Sequence, residues 1–209
     1  MINLSHFSLF LLSLSLTLSC KAQTVLPLYK KPSTVDLQGS YYLKDMDNDM
    51  DAYVGTWQWI NGNNSLTIQL IKVEMVLDGV NVYRDFLLGE YRYVENGVEK
   101  VNTLPVTYTA GEDPDIHNIV IGNITTVNRG FPPCLTCTPD TRYMQGYFRD
   151  PTVLDSATNE PLSAKLYMVH TVDNGVEKLI IRIFDPYVYG KNGPTEMNIT
   201  SGRYTLIKQ

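Results

Sequence analysis

From residue 51 onward the chain alternates between apolar and polar positions. In "SLTIQLIKVEM", Leu66, Ile68 and Leu70 fall on one side of an extended strand while Ser65, Thr67 and Gln69 fall on the other, the two-residue period of a half-buried strand. Past Leu70 the phase inverts: Ile71, Val73 and Met75 are apolar, Lys72 and Glu74 polar. One extra residue produces such an inversion, so a bulge or sharp bend is expected at Leu70 and Ile71. Similar runs occur at residues 54–60 and in "FLLGEYRYVE", "TLPVTYT", "NIVIGNITTV", "RYMQGYFR", "AKLYMVHTV", "EKLIIRIFD" and "GRYTLIKQ". Turn chemistry separates many of them. Asn61-Gly62, Asp78-Gly79, Asn96-Gly97 and Asn174-Gly175 supply residues that tolerate the positive φ of tight hairpins, and "ENGVEK" (95–100) and "DNGVEK" (173–178) read as two similar hairpin turns. About nine short strands so spaced predict an all-β fold: a single antiparallel β-barrel of about 8–10 strands, with a β-sandwich as the alternative. In "YLKDMDNDMDAYV", Leu43, Met46, Met50 and Tyr53 recur at helical spacing, predicting one short helix before the first strand.

The start of the chain reads differently. "MINLSHFSLFLLSLSLTLSC" carries an uncharged run from Phe7 to Leu18, too short to span a bilayer but suited to a signal-peptide core. Residues 1–19 are therefore expected to be removed. "LTLSC" resembles the lipobox of exported lipoproteins, which makes Cys20 the lipidated first residue of the mature chain; the segment before the apolar run, however, has no Lys or Arg. A competing cut after Ala22 would give a soluble periplasmic or secreted protein. Cleavage before Cys20 leaves 190 of the 209 residues, the size of one domain. Residues 20–39 read as a tether and 40–209 as a single barrel domain, monomeric and held to the envelope, at the outer membrane, by its lipid alone. With a formal charge of −5 and no basic cluster beyond Lys30 and Lys31, the chain has no electrostatic footprint for nucleic acid.

The blocks "YVGTWQWINGNNSLTI", "LLGEYRYVENGVEKVNTLP", "PPCLTCTP" and "GRYTLIKQ" resemble an uncharacterised family of small exported proteins of Gram-negative bacteria, a domain of unknown function. That resemblance covers the chain from about residue 40 and implies no activity. Gly55-Thr56-Trp57 resembles the G-x-W opening of lipocalins, whose barrels hold small apolar ligands. It implies a ligand entering near Trp57 and Trp59, and an arginine packed over Trp57, for which Arg182 and Arg203 are the candidates.

Candidate chemistry is sparse. Asp45, Asp47, Asp49 and Asp51 alternate as calcium-binding carboxylates do, but Met50 and Thr56 stand where an EF-hand needs Gly and Glu; the other reading is a helix turning its aspartates to water. Cys134 and Cys137 form a C-x-x-C in a proline-flanked loop, read first as a disulfide of an oxidising compartment. A redox pair lacks its βαβ setting, and zinc would need His117 and His170 as further ligands. Neither G-x-S-x-G nor H-E-x-x-H occurs, so a hydrolase reading has no motif behind it. Among the 14 tyrosines, Tyr91, Tyr93, Tyr143, Tyr147, Tyr167, Tyr187, Tyr189 and Tyr204 could form an aromatic platform or simply be ordinary strand residues. Tyr187 and Tyr189, with Asn192, lie in the loop "DPYVYGKNGP", where recognition more often sits. "DSA" resembles a short O-glycosylation acceptor and places a glycan on Ser156. The expectation is a non-enzymatic envelope binding protein without cofactor. Its partner is a small apolar ligand inside the barrel or, alternatively, a protein or glycan met by its loops.

Overall fold

In the computed structural model, residues 24–29, 41–78, 82–126 and 137–209 are described. They form β1 (Thr24–Pro27), β2 (Tyr41–Lys44), β3 (Gly55–Asn61), β4 (Asn64–Leu77), β5 (Tyr83–Glu95), β6 (Val98–Asn102), β7 (Ile119–Thr125), β8 (Tyr143–Leu154), β9 (Pro161–Asp173), β10 (Val176–Tyr187) and β11 (Gly202–Lys208). Strands β3-β4-β5 and β7-β8-β9-β10-β11 are two antiparallel meanders. They close into an eight-stranded barrel through two short seams. One joins β5 to β7 at Leu87–Ile121, Leu88–Val120 and Gly89–Ile119; the other joins β3 to β11 at Trp57–Lys208 and Gln58–Ile207. Strands β1, β2 and β6 lie outside the barrel. The edge of β5 that meets β7 also takes parallel β2 at Tyr83 and Arg84, and β6 from Arg92 to Glu95. The turns follow the sequence: Asn96 and Gly97, and Asn174 and Gly175, all have positive φ, as a tight primed hairpin requires.

Alternation predicts the inner face well. Leu66, Ile68 and Leu70 of β4 meet Leu87 and Tyr91 of β5, Ile119 and Ile121 of β7, Phe148 of β8, Leu166 and Met168 of β9 and Leu179 and Ile181 of β10 in one continuous buried cluster. Side chains fill the centre in the manner of small barrels. The phase inversion after Leu70 has a different cause from the one expected. Register runs unbroken from Ser65–Val94 to Val73–Phe86, so Ile71 and Val73 sit on the outer face. They are apolar because that face is covered too, by a second cluster of Val73, Val76, Phe86, Leu88 and Val120 with Ile71 and Tyr108 packed on it. The register shift falls later, between Val73 and Val76. There Met75 takes a φ of 56° and its N–H donates to the buried carboxylate of Asp85 at 3.0 Å.

Three elements differ from expectation. "TLPVTYT" is not a strand: Pro105 brings no N–H for a ladder, and residues 103–118 instead form a strap over the outer face. The strap places Tyr108 on the second cluster and carries a 3-10 turn, Pro114–Ile116. The expected helix shrinks to one 3-10 turn, Asp51–Tyr53, because Tyr41–Lys44 is recruited as β2 and Asp45 accepts from the N–H groups of Asp49 and Met50 at 2.9 and 3.0 Å, which shapes the intervening turn. Within the expected tether, Thr24–Pro27 pairs with β2 and Leu28 is buried.

Candidate functional site

The feature best built for recognition is the connection from β10 to β11. Residues 188–201 contain no strand and no helix, so their backbone groups need partners from elsewhere. Two buried aspartates supply them. Asp155, in the turn after β8, accepts at Oδ2 from the N–H of Tyr189 at 2.7 Å and of Gly190 at 3.2 Å. Its Oδ1 accepts from Ala157 and Thr158 of its own turn, at 2.8 and 3.2 Å. The Tyr189 N–H, followed by the other three, holds this carboxyl below the usual carboxylate range. Asp150, fully buried on β8, accepts from the N–H of Asn198 at 2.6 Å and from the hydroxyl of Thr152 at 2.6 Å. Gly190 and Gly193 let the loop close onto the turn, since a Cβ on either would fall 1.9 and 2.5 Å from the Ser156 Oγ. Ser156, the residue of the "DSA" motif, is thus exposed but seated against these two glycines.

Beside this loop lies a cavity of about 370 Å³ lined by Asp185, Pro186, Thr195, Glu196, Met197, Ile199, Thr200 and Ser201. Its wall is pinned where Tyr204 Oη donates to the carbonyl of Thr200 at 2.6 Å and Ser201 Oγ to that of Phe184 at 3.1 Å. Carboxylates and hydroxyls can pair with ligand hydroxyl or amine groups, while Pro186, Met197 and Ile199 offer apolar surface. The tyrosine platform divides: Tyr91, Tyr93, Tyr143, Tyr167 and Tyr204 are buried, whereas Tyr147, Tyr187 and Tyr189 are 46%, 37% and 72% exposed. Of those three, Tyr187 ends β10 next to the clamped loop and Tyr189 lies within it.

The other candidates lie elsewhere. Trp57 is fully buried and its indole N–H donates to the carbonyl of Tyr53 at 2.7 Å. The cation over its ring is Lys208, at 5.4 Å, and neither arginine; Arg182 lies over Phe184 instead. Gly55 of the same motif has a φ of +129°, a conformation open essentially to glycine alone, while the space around it is ordinary. Trp59 is half-buried, edge-on to Tyr204. His170 packs its ring on Tyr53 and Trp57 and pairs with Glu177, whereas His117 sits on the outer face against Glu90, so the two histidines have separate surroundings. Among the described residues no group of three or more His, Cys, Asp or Glu is placed to hold a metal ion. Of the four aspartates, Asp47 and Asp49 share Arg142, and Asp45 and Asp51 share Lys72. Cys20 and Cys134 lie outside the described residues, while Cys137 packs beside Tyr143 and Tyr167. The clamping aspartates were not singled out from the sequence. "DSAT" carried a signal, since an aspartate whose carboxylate takes the N–H two residues on is an Asx-turn.

Fold and loop together define a small closed antiparallel barrel that presents a rigidly held loop at one end. The chain belongs to the Family of unknown function (DUF6705), whose model matches residues 4–209. No curated protein and no solved structure matches it.

Proposed function

We propose that the chain is a non-enzymatic envelope protein, anchored through a lipid on Cys20, that binds a glycan at the loop 188–201. The observation that carries this reading is the double clamp: an irregular loop fixed by Asp150 and Asp155 that leaves Tyr187 and Tyr189 exposed beside a cavity lined with acids and hydroxyls. Fixing a loop before binding removes an ordering penalty from association. Ring faces give the apolar contact that the carbon face of a sugar offers, and Asp185 and Glu196 accept from its hydroxyls. Recognition is placed outside because apolar side chains from the strands already meet along the barrel axis. A Cys134–Cys137 disulfide would stiffen its own loop locally.

Screening the mature protein against envelope and host glycans tests this reading. Binding should weaken about tenfold or more in Tyr187→Ala and Tyr189→Ala with thermal midpoints unchanged, as expected for exposed rings. Failure of every glycan to bind, or binding indifferent to both changes, would refute it. Metabolic labelling with palmitate tests the anchor, and label persisting in Cys20→Ser would exclude lipidation there.

A further inference from the structure

On the outer face of β5, remote in sequence from the loop 188–201, Glu90 is a carboxylate only 8% exposed. Its Oε2 accepts from Asn118 Nδ2 at 2.6 Å and its Oε1 lies 3.1 Å from His117 Nδ1. Where the carboxylate is ionised and the imidazole neutral, Nδ1 donates to Glu90 and Nε2, across the ring, presents a lone pair. The backbone of His117 is fixed as well: its carbonyl accepts from Arg149 Nη1 at 3.0 Å and its N–H donates to Pro114 at 3.2 Å. His117 is 4% exposed, and Nε2 has no hydrogen-bond partner among the described residues. It faces Glu112 Oε2 at 4.0 Å, at a cavity of about 200 Å³ that both residues line together with Glu90, Thr103, Thr107 and Ile116.

Such a gap is too long for a direct hydrogen bond. It is the spacing of two acceptors that share one donor nitrogen, held about 2.8–2.9 Å from each with close to a right angle between the bonds. Glu90 and Glu112 make a positive charge on that donor favourable. Ile116 gives the wall apolar surface against which an alkyl stem can lie. We propose that this cavity binds a primary ammonium group on a short alkyl stem. One N–H goes to His117 Nε2 and another to Glu112 Oε2, while Glu90 holds the imidazole from behind. The cavity shares no lining residue with the one beside the loop, so the two sites stand or fall separately.

The test is calorimetric titration of the full mature chain with 1,5-diaminopentane at low salt and about pH 8, where an unperturbed imidazole is neutral and the amine charged. A one-to-one complex is expected, with a shift of the His117 Nε2 nitrogen resonance. Glu112→Gln, which keeps the shape of a partly exposed side chain, should weaken binding about tenfold or more. Glu196→Gln, in the other cavity, should leave it unchanged. No binding, binding indifferent to Glu112→Gln, binding lost in Glu196→Gln, or zinc taken up through Glu112 while the amine is refused would each overturn the assignment. Glycan binding through Tyr187 and Tyr189 would be unaffected by any of these outcomes.

Discussion

At the scale of single residues, buried acids organise much of what alternation leaves irregular. Asp85 receives the N–H of Asp45 at 2.8 Å and of Met75 at 3.0 Å, along with the Tyr42 hydroxyl, and so ties β2 and the bulge of β4 to β5. Asp150 and Asp155 do the same for the loop 188–201. Each side chain replaces ladder partners that the backbone has lost. The acid dependence of this device follows from Asp155. Its carboxyl titrates below the ordinary range when folded, so its contribution is full above the unfolded value, about pH 4, and is lost as pH falls through the lower folded value. The amide resonances of Tyr189 and Gly190 should therefore move together below about pH 4. In Asp155→Asn that movement should be absent; a transition that survives there would assign it to another group.

Among the elements, legibility in the sequence followed chemistry. Strands with one face on the core announced themselves by period, and the Asn-Gly hairpins by their turn residues. β4 misled because alternation assumes a wet outer face, and at Ile71, Val73 and Val76 that face is covered by the second cluster. β1, β2 and β6 are too short for a period to show. The aspartate-rich stretch read as a short helix turning its acids to water, whereas Asp47 and Asp49 pair with Arg142, a partner more than ninety residues further along the chain that no local pattern could give. This one guanidinium binds Asp47 and Asp49 and lies 4.0 Å over the Tyr29 ring, joining the turn to the residues following β1. Asp49, whose carboxyl is raised chiefly by burial, depends on that charge. Arg142→Ala should speed amide hydrogen exchange at residues 46–51 and 24–29 while β8 and β9 keep their protection. Uniform acceleration across the barrel would instead give Arg142 a role in the whole core.

For the molecule as a whole, barrel and sandwich were hard to tell apart in sequence because both are assembled from the same antiparallel meanders, and only the closing seams make this one a barrel. Each meander is built from strands adjacent in the chain, and such pairings are the part that local patterns encode. Closure depends on the pairs at Leu87–Ile121 to Gly89–Ile119 and at Trp57–Lys208 and Gln58–Ile207, which no local pattern announces. The candidate site was legible to a similar degree: the tyrosine loop was visible as a loop, but its rigidity comes from Asp150 and Asp155, and the pocket at His117 from a strap that reads as a strand.

The short seams carry a consequence for handling the protein. Residues 55–102 and 119–208 pair internally, and the strap between them, residues 103–118, crosses from one half to the other. If the strap lifts and straightens, the halves part with their own pairings intact, and each can complete the barrel of a second copy. Every seam contact is then remade between molecules, as in domain swapping. Refolding at high concentration should accordingly yield a dimer of exchanged halves that separates slowly on dilution, and shortening the strap should favour it.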